Sequence, residues 1–385
     1  MGDPHRVGIV GLGFISRAYL ETLAHHPRVS ITAVADLDAA RSAAVAATLP
    51  SARALPVEEL LVSGVQTVLN LTVPAAHASV ALGAIGHSLD VYGEKPLAAS
   101  LDEASVIVSA AEAAGLTVGC APDTVLGTGI QTARAAVDKG AIGRPVAASA
   151  VMVTPGHERW HPNPDFYYVP GGGPLLDMGP YYLSALVHLL GPIRSVTGAA
   201  SRPRDTRVIG TGPRAGSRVP VEVDTHVTGV LEHAGGALST IMTSFDAVRT
   251  TAAPIEVHGE AGTLAVPDPN QFDGDVRLFE LGGDDWRVLP PSAGYAGAAR
   301  GIGLLDQITG ARPRGPGSPR RPEDQAPETA QPRASAALAR HVLEAMTALL
   351  RSAAEGRRLD LTTTVERPAP VPLTPRSQWS AGPDR

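Results

Sequence analysis

A doubly wound parallel α/β sheet, followed by a second, strand-rich domain, is the fold class this sequence predicts. Three observations carry it. Short β-branched runs alternate with Ala-rich helical stretches through the first third. A glycine-rich turn stands at the first strand–helix junction, and beyond residue 140 the pattern changes to strands in succession.

In order, "RVGIV" (6–10), "SITAVA" (30–35), "TVLNLTV" (67–73), "LDVY" (89–92) and "LTVGC" (116–120) read as buried strands. Between them "ISRAYLETLAHH", "AARSAAVAATL", "AAHASVALGAIG" and "SLDEASVIVSAAEAAG" read as helices. Parallel sheets of this kind take ligands outside the carboxyl ends of their strands. In the later part, 145–153, 223–233, 237–245, 254–260, 262–267 and 275–281 read as strands of one sheet. The stretch 202–220 reads as a basic, turn-rich connection. The Pro- and charge-rich stretch 312–333 reads as a mobile insertion, and 367–385 as an extended tail.

The whole chain sets limits. Its 385 residues suit two domains, and 44% hydrophobic content with a mean hydropathy of +0.05 suits a soluble globular protein. A net charge of −6 argues against nucleic acid or anionic membrane as partners. Cys120 stands alone, which excludes an intramolecular disulfide and suits a reducing compartment. "MGDPHR" runs straight into an apolar strand without a signal core, and no apolar run approaches the roughly 20 residues of a membrane span. The expected location is cytoplasmic.

The first turn carries chemistry. Gly11, Gly13 and Ser16 form G-x-G-x-x-S, with Phe14 and Ile15 completing the turn. Gly11 permits a tight turn, Gly13 lets the backbone approach a pyrophosphate, and the helix N-terminus beyond offers unpaired N–H groups. Ser16 is small enough for close helix–strand packing. Asp36 ends the second strand, where a carboxylate accepts ribose hydroxyls and repels a 2′-phosphate. NAD is therefore favoured, with NADP possible because Arg41 lies within a turn. The alternative for Asp36 is a helix cap. "TVPAAH" places Thr72, Pro74 and His77 at a further strand end, and His77 is either part of the cofactor turn or a helix-surface residue. "GEKP" puts Glu94 and Lys95 where cofactor and substrate meet, unless the two form an ordinary surface pair.

"GLGFIS", "TVPAAH", "YGEKPLAAS", "GAIGRPV" (140–146), "GGGPLLDMGPYYL" and "LARHVLEAMTALLRSAAEGR" (338–357) together resemble the glucose–fructose oxidoreductase, inositol dehydrogenase and MocA-like (Gfo/Idh/MocA) family over most of 6–366. The resemblance implies an N-terminal Rossmann domain (1–122). It implies an open-faced, mainly antiparallel C-terminal sheet domain (123–366) for substrate binding and pairing into dimers or tetramers. It also implies hydride transfer between a nicotinamide cofactor and a hydroxyl or keto carbon of a sugar or cyclitol. The rival readings are a glycosidase or lyase with tightly bound NAD, and a non-catalytic NAD-binding protein.

In that family the stretch at 177 runs D-x-G-x-H, with a second acid three residues later. Here Asp177 matches, but Tyr181 replaces the histidine and Ser184 the acid. Histidine, with a pKa of about 6.5, accepts a proton at neutral pH, whereas the phenolate of tyrosine costs roughly 4 kcal/mol at pH 7. Three possibilities stand open. Tyr181 is tuned by Lys95 as oxyanion partner, or Tyr181 serves mainly as a proton donor in reduction, or another group is the base. "GHERWHPNPDFYY" (156–168) offers His157 as that base, with His161 and Trp160 to bind and stack on a sugar. The same pair of histidines is otherwise ordinary loop packing, and no zinc site is expected from it. His188 reads as a core histidine. Asp123 either faces the substrate beside the nicotinamide or caps the next helix.

Overall fold

The computed structural model describes residues 3–310 and 332–380. The first sheet has six parallel strands: β1 (His5–Val10), β2 (Val29–Ala35), β3 (Arg53–Ala54), β4 (Thr67–Asn70), β5 (Asp90–Gly93) and β6 (Val118–Cys120). Their order is β3-β2-β1-β4-β5-β6. The order reverses between β1 and β4, and a crevice forms at such a reversal outside the strand ends. Helices α1 (Ser16–Leu23), α2 (Ala39–Ala46), α3 (Val57–Leu61), α4 (Pro74–Gly86) and α5 (Leu101–Ala114) make the crossovers. The limits of α5 are local chemistry. Ser100 and Glu103 exchange side-chain and backbone hydrogen bonds at its start, and left-handed Gly115 ends it. Val7, Ile9, Val68 and Leu69 are wholly buried, each contributing about 1.5–3 kcal/mol.

The second sheet has nine strands. They are β7 (Pro145–Val153), β8 (Ile193–Ser201), β11 (His226–His233), β12 (Leu238–Ser244), β13 (Ile255–Gly259), β14 (Gly262–Val266), β15 (Val276–Glu280), β16 (Arg287–Leu289) and β17 (Leu359–Asp360). Between β8 and β11, β9 (Thr206–Val208) and β10 (Arg218–Pro220) form a separate antiparallel pair. The order is β16-β15-β14-β13-β7-β12-β11-β8-β17, antiparallel except for β7 beside β12. Helices α6 (Thr128–Asp138) and α7 (Pro174–Leu190) belong with this sheet, as does α9 (Ala336–Glu355) from His341 onward. Gly198 and Gly229 pair across β8 and β11, and Leu349 of α9 sits on both. A Cβ at either would lie 2.4–2.5 Å from Leu349, so only glycine lets the helix approach that closely.

Two compact units result, and their limits differ from a division at 122/123. The first comprises the described residues up to 127, 294–340 and 368–380; the second comprises 128–293 and 341–367. The reason is a set of bonds from the late segments to the first sheet. Gln307 of α8 (Ile302–Gly310) donates to the Val91 carbonyl at 3.1 Å, and Cys120 N–H donates to Ala334 O at 2.9 Å. The expected extended tail also folds back. Thr374 bridges to Tyr295, and in α10 (Arg376–Trp379) Trp379 is buried with its indole N–H on Ala296 O at 2.9 Å. The stretch 312–333, expected to be mobile, lies outside the described residues save 332 and 333. The basic, turn-rich connection 202–220 contains the paired strands β9 and β10. Among the described residues no helix is long and apolar enough to cross a membrane.

Trp379→Ala removes this buried ring and its hydrogen bond. It should cost about 3–5 kcal/mol in denaturant unfolding followed by tryptophan-independent circular dichroism.

Candidate functional site

The loops after β1, β2, β4 and β5 all emerge at the carboxyl edge of the first sheet. Gly11 has φ +95° and its Cβ position lies 2.6 Å from the Leu71 carbonyl, so the turn after β1 admits only glycine there. Gly13 is exposed, with open space around its Cβ position, which leaves backbone accessible to a diphosphate. Ser16 is buried, and its hydroxyl donates to Gly13 O at 2.7 Å. Ile15 precedes α1 at its cap. Phe14, Leu37 and Val73 stand exposed on three of these loops, at 90%, 107% and 67%. Apolar side chains around open glycine backbone fit a dinucleotide with flat rings and a charged centre.

Asp36 accepts Leu12 N–H at 2.7 Å and Asp38 N–H at 2.9 Å, and pairs with Arg41 at 3.1 Å. Burial alone would raise its carboxyl, but these two N–H groups and the guanidinium outweigh burial and hold it below its ordinary value. Arg41 also reaches Asp38 at 3.4 Å, so its cation is shared between two carboxylates. The cap of α2 is Asp38, not Asp36.

His77 is not a helix-surface residue. It is buried, with Nδ1 2.6 Å from Pro96 O and Nε2 3.0 Å from Thr72 O. Both ring nitrogens thus brace the loops after β4 and β5 instead of facing a cofactor. Asn70, a residue the sequence pattern did not single out, completes the turn: it accepts the Thr72 hydroxyl at 2.7 Å and donates to His77 O. Pro74 is exposed at the first position of α4. Glu94 is no surface partner of Lys95. Its buried carboxylate accepts the Tyr19 hydroxyl at 2.7 Å and Lys95 backbone N–H at 3.1 Å, and Lys95 itself is half-buried.

Asp123 neither faces substrate nor caps the helix after it. Wholly buried, it accepts Gly301 N–H at 2.8 Å and Gly303 N–H at 3.3 Å, with Arg300 at 3.4 Å. Burial raises its carboxyl, partly offset by Arg300 and the two N–H groups. It ties α8 to the first unit.

In the second unit, α7 starts at Pro174 after left-handed Gly173, and Asp177 lies in its first turn, where the helix dipole favours a carboxylate. Tyr181, one turn on, is buried at 6% exposure. The short helical turn His157–Arg159 after β7 brings a histidine to this acid: His157 Nε2 stands 3.2 Å from Asp177 Oδ2. Trp160 Nε1 donates to His157 Nδ1 at 3.3 Å. Indole nitrogen only donates, so in the neutral imidazole Nδ1 is the acceptor and the ring proton sits on Nε2, aimed at Asp177. Phe245, Tyr167 and Trp160 enclose the ring at centroid distances of 4.3, 4.6 and 5.2 Å. His161 touches Trp160 and Phe166 edge-on and its Nδ1 accepts Asn163 N–H. A cleft of about 270 Å³ opens beside His157, walled by Thr154, Met178, Tyr182 and Asp268. Tyr182 faces Asp268 at 3.4 Å, and burial, then Asp268, push its phenol up, so it stays protonated at neutral pH. His188 is buried within α7. Among the described residues no group of three or more His, Cys, Asp or Glu is placed to hold a metal.

Residues 5–121 match the model of an oxidoreductase family with an NAD-binding Rossmann fold, and residues 130–265 match the GFO/IDH/MocA C-terminal domain. D-xylose 1-dehydrogenase (NADP(+)) 2 of Haloferax volcanii is 30% identical over 63% of this chain and 70% of its own length. The chain belongs to the GFO/IDH/MocA family. It is an NAD(P)-dependent oxidoreductase with an NAD-binding Rossmann domain. Within the family it is also similar to dTDP-3,4-didehydro-2,6-dideoxy-alpha-D-glucose 3-reductase of Streptomyces antibioticus, at 28% identity over 72% of this chain and 88% of the relative. In fold it matches an NAD binding oxidoreductase from Klebsiella pneumoniae, with a TM-score of 0.77 and 23% identity over 94% of this chain and 100% of that one.

Gly13→Ala adds a methyl where nothing in the protein obstructs it. This GFO/IDH/MocA chain should then keep its melting temperature while its NAD Kd rises about tenfold or more in calorimetric titration.

Proposed function

We propose that this oxidoreductase transfers a hydride between NAD and a hydroxyl-bearing or keto carbon of a sugar, sugar derivative or cyclitol. The names of its relatives support that substrate class: a dTDP-sugar reductase, a xylose dehydrogenase and the scyllo-inositol 2-dehydrogenase (NADP(+)) IolU of Bacillus subtilis. One observation carries the assignment of the proton: His157 stands 3.2 Å from Asp177, so a loop supplies the imidazole that α7 lacks at Tyr181.

Bound nicotinamide supplies the hydride acceptor or donor. The substrate hydroxyl displaces the Trp160 indole from His157 Nδ1 and gives that nitrogen its proton on oxidation. Asp177 then holds the imidazolium through Nε2–H, and the reverse transfer serves reduction. Lys95 is the proposed cation for the negative charge on the reacting oxygen. Trp160, 57% exposed, and His161 offer ring faces to the C–H face of a sugar. Tyr181 as proton donor in reduction is the second reading, favoured by its place one turn from Asp177 on α7. We further propose that the enzyme is cytoplasmic and that its nine-stranded sheet pairs with a second copy into a dimer or tetramer.

Purified protein with NAD and a panel of sugars, nucleotide sugars and cyclitols, followed by reduced-nicotinamide absorbance, tests the reading; no turnover on any member sinks it. With a substrate in hand, His157→Gln should lower kcat by about 10²–10⁴ while Tyr181→Phe lowers it less than about tenfold. The opposite ranking would move the proton to Tyr181. Asp36→Ser removes the carboxylate that repels a 2′-phosphate and one of the two that hold Arg41, so the NADP-to-NAD ratio of kcat/KM should rise about tenfold or more.

A further inference from the structure

We infer that Arg207, from the basic stretch between β8 and β11, is a positioning residue for His157, acting through a buried charge network with Glu158, Tyr168 and Asp246. The inference rests on the reading that His157 carries the proton.

The Arg207 side chain is 0% exposed. Its guanidinium pairs with Asp246 at 2.7 Å and Glu158 at 3.4 Å, and donates to Phe245 O at 2.8 Å and Pro155 O at 3.4 Å. It also lies 5.2 Å from the centre of the Tyr168 ring. Three of these partners, Glu158, Tyr168 and Phe245, bear on His157. Glu158 follows it in the chain and accepts the Tyr168 hydroxyl, while the Tyr168 oxygen accepts His157 backbone N–H at 3.2 Å. Phe245 packs on the imidazole at 4.3 Å, and its carbonyl is the one Arg207 holds. One cation therefore fixes both the backbone and the ring wall of His157. The far end is braced as well: Asp246 accepts the Thr225 hydroxyl at 2.5 Å and is approached by Arg204 at 3.6 Å.

Chemistry explains why the residue is arginine. Three oxygens gather around Nη1 and the Asp246 carboxylate meets Nη2, so the two ends of a planar guanidinium hold separate partners, and a single lysine ammonium cannot reach both. Glu158 and Asp246 are two carboxylates that meet the same buried guanidinium, and a cation between them offsets the repulsion between their charges. Gly156 belongs to the same arrangement, because a Cβ there would lie 2.2 Å from Glu158 and 2.6 Å from Arg207. A loop built this way leaves His157 little freedom, and a displacement of about 1 Å at an acid–base group costs around a hundredfold in rate.

The test uses the full chain loaded with NAD and compares Arg207→Lys, Tyr168→Phe and His157→Gln. Tyr168→Phe keeps the ring and removes only the hydroxyl that joins Glu158 to His157, so it decides the matter if Arg207→Lys does not fold. Expected are a fall in kcat of about ten- to a hundredfold for Arg207→Lys and about tenfold for Tyr168→Phe, with the KM for NAD unchanged. Alongside, the ¹⁵N resonances of His157 should lose the Nε2–H tautomer pattern in both. Turnover within twofold of the parent in both variants overturns the inference while leaving the His157 reading intact. A fall in kcat with the His157 resonances unmoved overturns it too. Full turnover in His157→Gln refutes the acid–base reading, and the inference with it.

Discussion

Backbone packed directly against a neighbouring element is the constraint on which both units depend. In the first unit Gly11 lies so close to Leu71 and Thr72 that no side chain fits, and this contact brings the turns after β1 and β4 together at the strand reversal. In the second, the paired Gly198 and Gly229 let α9 settle on the sheet through Leu349. A methyl group at either place would force apart elements whose close packing sustains the core, and interiors packed to crystal density have no slack to absorb it.

Buried charge does the finer placing. Asp123 with Arg300 holds the start of α8, and Arg207 with Glu158 and Asp246 holds the loop after β7. Such pairs add little net stability relative to apolar residues of the same shape. Breaking one leaves a lone buried charge at a cost of about 3–5 kcal/mol, and this asymmetry makes them good at specifying one loop conformation. Asp36 with Arg41 works differently, at a partly exposed edge. There the carboxylate stays charged and directed while its cation is occupied.

Much of the fold was legible along the chain. The strand runs at 6–10, 30–35 and 145–153 coincide with β1, β2 and β7 within a residue, because short apolar, β-branched runs in the first sheet and alternation in β7 are local signals. The glycine turn and Asp36 were legible for the same reason. Strand β8, "IRSVTGAAS", was not, since its small residues exist to receive α9 and carry no alternating apolar signature of their own. The return of 294–310 and 368–380 to the first unit was equally hidden. It rests on bonds between residues far apart in sequence: Gln307 on Val91 O, Gly301 and Gly303 on Asp123, and the Trp379 carbonyl against His26.

The site divides along the same line. By itself the sequence determined the family pattern, the cofactor turn and an acid at 177 followed by a tyrosine, because each of these is a short spacing on one strand or helix. Only the tertiary structure decided that Asp177 meets His157, that Asp123 and His77 are spent on holding loops, and that Arg207 is buried. Each is a pairing between segments 5 to 180 residues apart. No local periodicity encodes which side chain will be opposite which; that is settled when the sheet and helices close around their shared core.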